Sequence, residues 1–317
     1  MQVTILIAKR IVRGLVTLAA VSVFIFLSVE LLPGDIAEAI LGREATQAAL
    51  AALRQELGLD TPPFLRYLEW MAGVFQGDFG NALTSGRPVS ELVTPRFLNT
   101  LFLAATAAAL SVPLALCLGF LTALYRNSIF DRSANLITVF FISLPDFFIA
   151  YALVFIFSTT FSLFPTISDI AMADGLADSL YIIALPVVTL TLVVTAHMMR
   201  MTRASLINLY SQSYIEMARL KGAGQARVLL IHALPNAAAP IAAVVALNLA
   251  YLITGVVVIE VVFVYPGLGQ LLVDAVSNRD MPVVQASCLI FAATYIILNM
   301  TADVLGMVTN PRLVHPR

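Results

Sequence analysis

Charge is scarce in this chain. Asp, Glu, Lys and Arg make up 12% of its 317 residues, about half the ~25% usual in a soluble domain. The formal net charge is −1. No broad basic field exists, so nucleic acid is not expected as a partner. Cysteine is almost absent. Cys117 and Cys288 each sit inside an apolar stretch and read as small hydrophobes in helices, not as a disulfide framework or a zinc site. Strand-like alternation is missing, which argues against a membrane β-barrel. No group of His, Cys and carboxylate residues has ligand spacing, so no metal site is expected. What is abundant is apolar: 60% of the residues are hydrophobic and the mean hydropathy is +0.93. A water-soluble globule of this length cannot hide so much apolar surface. Lipid is the expected solvent, and intrinsic disorder is excluded.

Crossing a bilayer core as a helix takes roughly 20 apolar residues. The uncharged intervals supply six such spans, at 11–32, 99–125, 136–161, 181–203, 237–262 and 283–308. The expected fold class is therefore all-α integral membrane, with six transmembrane helices. The first span follows Lys9, Arg10 and Arg13, as a signal peptide would. Its apolar stretch is long for one and no clear small-x-small cleavage site follows, so it reads as a retained helix.

Orientation follows from Lys and Arg. With the N-terminus inside, the inner segments hold Lys9, Arg10, Arg13, Arg126, Arg132, Arg200, Arg203, Arg219, Lys221, Arg227, Arg312 and Arg317. The longer outer segments hold Arg43, Arg54, Arg66, Arg87, Arg96 and Arg279. This bias puts both termini in the cytoplasm. Residues 1–10 are then a cytoplasmic N-terminus and 309–317 a cytoplasmic tail. Residues 33–98 form an extracytoplasmic segment, and 99–308 a five-helix core that carries an inner loop at 204–236.

In the outer segment Thr46 suits the cap of a short helix with Leu50, Leu53 and Leu57 on one face and Gly58 as its stop. Pro62 and Pro63 open a second helix that carries Leu65, Leu68, Trp70, Met71 and Phe75. Both helices are expected to lie on the outer membrane face and pack on the spans, either as a collar or as a docking surface for an external partner. Asp169, Asp174 and Asp178 mark a solvated acidic loop at 162–180. Pro266-Gly267-Leu268-Gly269 precedes a short half-buried helix with Leu271, Leu272 and Val276.

The inner loop between spans four and five says most. Ser213 and Glu216 have capping-box spacing, and the short helix after them, about 214–221, should end at Gly222 in a left-handed conformation. Tyr214, Met217 and Ala218 fall on one face, while Arg203, Arg219, Lys221 and Arg227 bring positive charge. Val228–Ile231 starts a second apolar helix that Pro235 should interrupt. A short capped helix of this kind suits insertion into a groove on another protein; a helix lying on the membrane is the other reading.

Glu216-Met217-Ala218, then three residues, Gly222, nine residues, His232, one residue and Leu234-Pro235 resembles the EAA loop of ABC importer permeases. Met217 stands where that pattern has its first Ala, and His232 where it has Ile. With the flanking Arg-x-Lys-Gly and His-Ala-Leu-Pro-Asn, the loop is similar to that of the dipeptide/oligopeptide/nickel branch. Further motifs of that branch run along nearly the whole chain. They are Leu32-Pro33-Gly34-Asp35, Leu57-Gly58-Leu59-Asp60, Gly77-Asp78-Phe79-Gly80, Gly86-Arg87-Pro88-Val89, Glu260-Val261-Val262-Phe263, Pro266-Gly267-Leu268-Gly269, Arg279-Asp280-Met281-Pro282 and Asn310-Pro311-Arg312. The long outer segment resembles the first of the branch's two permease types.

The resemblance implies a type I importer permease fold, a second homologous permease, two cytoplasmic ATPase subunits and an extracytoplasmic solute-binding protein, all in the inner membrane of a prokaryote. It implies that the helix at 214–221, with Ser213, Tyr214, Glu216, Met217, Ala218, Arg219, Lys221 and Gly222, is the coupling helix seated on an ATPase. Similar permeases serve dipeptides, longer peptides, nickel chelates, glutathione and opine-like compounds. The chain's own contents agree. No G-x-x-x-x-G-K-[ST] occurs, so ATP and Mg are expected in the partner ATPases, with no cofactor in this chain and no catalysis by it.

Polar residues inside spans are functional candidates. Asp146 follows Pro145 in span three, where a freed carbonyl and a bend suit a water-filled path. Asn248 and Asn299 are further candidates for that path; interhelical hydrogen bonding is the rival reading for both. His197, Asp303 and Glu260 read as interhelical or capping groups. A self-sufficient secondary transporter or channel is the alternative function. It would need paired ion-coupling carboxylates at midplane, and Asp146 is the sole clear candidate. A membrane-embedded enzyme would need a paired-acid, Ser/His or metal constellation, and none is visible.

Overall fold

Composition dictates helices, because a backbone in lipid must satisfy its own hydrogen bonds. In a computed structural model, residues 2–31, 45–56, 61–210, 212–222, 224 and 227–308 are described. The motifs at 32–35, 57–60 and 310–312, and the expected tail at 309–317, lie outside those residues, as do the side chains of Leu53, Arg219, His232 and Pro235. The described helices are α1 (Gln2–Glu30), α2 (Gln47–Glu56), α3 (Pro63–Gln76), α4 (Val89–Leu124), α5 (Ile129–Ser143), α6 (Asp146–Leu153), α7 (Leu176–Ile182), α8 (Ala184–Tyr210), α9 (Ser213–Leu220), α10 (Leu234–Val262), α11 (Leu268–Ser277) and α12 (Met281–Val308). Five of them are long and apolar enough to cross a membrane, and a sixth such stretch is the bent pair Ile129–Ser143 and Asp146–Thr160, counted as one span. The chain is a multi-pass membrane protein.

Two spans differ from the sequence expectation. The second is longer: α4 has 36 residues, or about 54 Å at 1.5 Å per residue, against a ~30 Å hydrocarbon core. The third is not one bent helix. It breaks at Leu144 and Pro145, and its halves meet at 101°. Leu144 is extended, with φ −91° and ψ 137°, as the ring of a following proline requires. The second half continues as a π-helix over Val154–Thr160.

The chain divides into two compact units. One gathers the chain up to Gly14, Leu101–Tyr265 and the chain from Thr294; the other gathers Leu15–Thr100 and Pro266–Ala293.

In the first unit α8 is the hub, packed against α5, α6 and α10. More than half of its residues are buried, most of them apolar with Thr189, Thr191, Thr195 and Thr202 among them, as suits a helix packed among helices. Small residues let its neighbours approach. Ser111, Ala115 and Gly119 recur at four-residue spacing on α4 and are buried. A Cβ on Gly119 would lie 2.8 Å from Thr202 Cβ and 3.0 Å from the Met199 carbonyl oxygen. Only glycine permits that crossing. Asp131, on α5, is almost wholly buried. It accepts from Arg203 Nε at 2.7 Å and Nη2 at 2.8 Å, from the Asn127 amide at 2.9 Å and from Asn135 Nδ2 at 2.7 Å. This fork clamps α5 to α8. The start of α1 meets the end of α12 through Arg10 and Asp303, 2.5 Å apart, with Gly14 against Ile296 and Met300.

The second unit joins motifs that are distant in sequence. Phe26, Tyr67 and Trp70 form an aromatic cluster between α1 and α3. Beside it the Ser22 and Tyr67 hydroxyls are 2.9 Å apart and Arg66 pairs with Glu30. α3 therefore packs on the first span. Thr46 caps α2 by accepting from the Ala49 amide at 3.3 Å. Gly77, at φ +79°, ends α3, and residues 81–88 fold into a turn closed by an Asn81–Pro88 bridge. Asp280, 2% exposed, accepts from the Leu83 amide at 3.1 Å, the Thr84 amide at 3.0 Å and the Thr84 hydroxyl at 2.7 Å. Asn99 Nδ2 donates to the Pro266 carbonyl at 2.8 Å, and the Leu268 amide donates to Thr100 Oγ1 at 2.8 Å. The blocks at 77–80, 86–89, 266–269 and 279–282 are thus parts of one hydrogen-bonded scaffold.

Candidate functional site

Two places in the first unit combine polar or exposed groups in ways that packing alone does not require. The first is the loop that carries α9. α9 starts one residue earlier than the capping pattern suggests: Ser213 is already helical, and the Gln212 carbonyl accepts from the Ile215 and Glu216 amides at 3.0 and 3.3 Å. Gln212 therefore takes the cap position. The helix ends where expected, with Gly222 at φ +83°. Its faces divide differently from the sequence reading. Ile215 and Ala218 point into a buried cluster with Ala123, Leu206, Val228, Ala233 and Ala237. Tyr214, Met217 and Leu220 are 41, 54 and 77% exposed, and Glu216 and Lys221 are exposed beside them. Ala218 belongs to the anchor and Leu220 to the outer face. The reason is that Ile215, not Tyr214, fits the cluster under the helix. Nor does Pro235 interrupt the next helix. A π-helix over Val228–Ala233 leads straight into α10, and Pro235 falls in its first turn, where its missing N–H costs nothing.

The second place lies within the spans. Asp146 opens α6 directly after the break. The Tyr251 hydroxyl, on α10, donates to Asp146 Oδ2 across 3.4 Å. The His197 ring, on α8, lies 6.0 Å from the Tyr251 ring, centroid to centroid. Asp146 and His197 are half-buried, and Tyr251 is more open. The other two candidates are occupied locally. Asn248 is buried, donates to the Val244 carbonyl at 2.8 Å and reaches Met201 Sδ at 3.9 Å. Asn299 donates to the Tyr295 carbonyl at 3.0 Å. Neither is hydrogen-bonded to Asp146 among the described residues. Tyr251 was missed in the sequence, although a phenol in mid-span is a visible signal. Arg203 and Asp131 carry no sequence signal as partners, because they lie 72 residues apart. Among the described residues no group of three or more His, Cys, Asp and Glu side chains could hold a metal ion.

A bundle of lipid-length helices, a helix pair that breaks at Leu144 and Pro145 just before Asp146, and a short anchored helix presenting an apolar face are the architecture of a multi-pass membrane protein. Residues 115–315 match the family described as "Binding-protein-dependent transport system inner membrane component". Residues 3–104 match its N-terminal companion, "Binding-prot-dependent transport system membrane comp, N-term". The glutathione transport system permease protein GsiC of Salmonella typhimurium (strain LT2) is 40% identical over 305 residues, covering 96% of this chain and 97% of the relative. GsiC of Escherichia coli (strain K12) is 39% identical over the same length. The chain belongs to the binding-protein-dependent permease family, in the peptide/nickel branch of ABC importers. It is a membrane permease subunit, a non-catalytic translocation component.

Proposed function

We propose that this chain is the first of two permeases in an ATP-driven importer of peptides or similar small polar solutes such as glutathione, and that α9 couples it to a cytoplasmic ATPase. Its partners would be a second homologous permease, two ATPase subunits that hold ATP and Mg, and an extracytoplasmic binding protein. Both termini would face the cytoplasm, as the Lys and Arg bias requires. The observation that carries the reading is the divided face of α9. Ile215 and Ala218 fix the helix to the ends of α8 and α10, so a push on the helix moves those spans as a rigid body. Tyr214, Met217 and Leu220 remain as apolar anchors for a groove on a partner. Substrate preference at the family level supports peptide-like cargo, and the names of the relatives support glutathione.

The test is gentle detergent purification of the tagged chain from its native membrane, followed by mass spectrometry of co-eluting proteins and an ATP hydrolysis assay. Wild type should bring down stoichiometric ATPase and a second permease. The Met217→Glu/Leu220→Glu double variant should insert normally and lose at least tenfold of the ATPase, the expected effect of charging buried hot-spot residues. Retained ATPase in that variant would remove α9 from the interface. A chain that elutes alone and passes solute in proteoliposomes without ATP would overturn the importer reading in favour of a secondary transporter.

A further inference from the structure

We propose that Asp146 and Tyr251 form a subsite in the translocation path that receives the ammonium group of a zwitterionic, peptide-like solute. The inference rests on the importer reading above and deepens it by naming the chemistry of the cargo.

The first support is depth. Asp146 lies near the middle of the broken third span, α5 with α6 and its π-helical continuation, and Tyr251 lies past the middle of α10. A carboxylate at that depth is costly against lipid, so it faces protein or water. The second is openness. Asp146 is half-buried and Tyr251 is 43% exposed, so the chain's own packing does not close over them. The third is unfilled capacity. A carboxylate offers about four acceptor positions, and Asp146 receives one long contact, the Tyr251 hydroxyl at 3.4 Å. Asp131 and Asp280 show what a structural aspartate looks like in this molecule: each is buried and accepts at least three close donors. The fourth is the backbone. Leu144 and Pro145 separate two apolar helical halves that meet at 101°, and irregular backbone within a lipid-crossing stretch is tolerated where it is buried in protein or lines an aqueous cavity.

The chemistry then selects the ligand. A carboxylate only accepts, and the face of a phenol attracts cations. No Lys or Arg forms an ion pair with Asp146 among the described residues, and His197 acts on it through space without a hydrogen bond, so its oxygens are open to a mobile partner. One carboxylate and a phenol make no metal cage. They fit an ammonium group, which every peptide with a free amino terminus carries.

The experiment uses the complete complex, with both permeases, the ATPases and the binding protein, in proteoliposomes. The probes are glutathione and dialanine. Asp146→Asn should lower ATP-dependent uptake of the probe that wild type carries roughly tenfold or more, the usual effect of losing a charged hydrogen bond. Asp146→Glu should recover most of it, and Tyr251→Phe should lose less than Asp146→Asn. Subunit stoichiometry should remain that of wild type throughout. Unchanged uptake by Asp146→Asn overturns the subsite. Loss of the second permease from that variant also overturns it, in favour of an ion pair between the permeases. A second measurement is independent of cargo. In a chain carrying Cys117→Ala and Cys288→Ala, Asp146→Cys is treated with a cationic, water-soluble thiol reagent, with and without ATP. Labelling in either state supports an aqueous position, and no labelling in both overturns it. If wild type shows no ATP-dependent uptake of either probe, the importer reading or its cargo fails, while the labelling still decides the position of Asp146.

Discussion

Asp280 in the hydrogen-bonded scaffold of the second unit and Asp146 at the break between α5 and α6 are the same residue in opposite settings. Asp280 is closed in, with two backbone amides and a hydroxyl on its carboxylate. Asp146 is half open, with one distant hydroxyl. A buried carboxylate persists only when its acceptor positions are filled. Asp280 is filled from within the chain and therefore holds a fold together. Asp146 is not, and so has something left to offer. Asp131, clamped by Arg203, belongs with Asp280 although it sits in the same unit as Asp146.

The contrast can be broken from its strongest side first. Asp280→Ala strips the acceptor from three donors in a closed site and should cost about 3–5 kcal/mol. The check is the melting profile and recovery of monodisperse protein in detergent, both of which should fall sharply; a wild-type profile would mean the scaffold does not depend on this latch. Arg203→Ala leaves Asp131 buried and short of its fork, at a cost of about 3 kcal/mol. Joint replacement of Asp131 and Arg203 by leucine and methionine should restore part of the loss, and a melting-temperature cycle over the four proteins measures it. Gly222→Val should cost about 1–2 kcal/mol, because a side chain at φ +83° is strained. Among the described residues no atom beyond the chain neighbours lies within 4 Å of the added Cβ, so the cost is conformational and local to the end of α9. Binding-protein-stimulated ATP hydrolysis should fall, and Gly222→Asn, which tolerates the left-handed region, should retain more of it than valine does. Smallest of all, Asp146→Asn should move stability by less than about 0.5 kcal/mol. A large drop in melting temperature would place Asp146 with Asp280.

Much of this was legible before any fold was known. Apolar runs of lipid length located the long helices, though several ends lie seven to ten residues from where the charges suggested, because a helix is the one way for a single apolar segment to satisfy its backbone in lipid. Pro145 announced the irregularity in span three, and Gly222 announced the end of α9, since each residue type restricts or frees the backbone by itself. The faces of α9 were harder. Tyr214 and Ile215 are adjacent and both apolar, and helical periodicity cannot say which of two neighbouring stripes has a pocket beneath it. Leu206, Val228 and Ala237 decided that. Asn248 and Asn299 looked equivalent to Asp146 in the sequence. Their amides can turn back to a carbonyl one turn earlier, which a carboxylate, lacking donors, cannot do.

Sequence alone therefore determined the apolar solvent, a bundle of five or six lipid-length spans, the loop that carries the short helix α9 and the family the chain belongs to. Each of these depends on composition, or on residues within a few turns of one another. Tertiary structure alone decided that four separated motifs form one scaffold, that Asp131 finds Arg203, and that Tyr251 meets Asp146 from 105 residues away. Those pairings depend on how helices pack, and side-chain volume and hydrogen-bond geometry settle packing only after the chain has closed on itself.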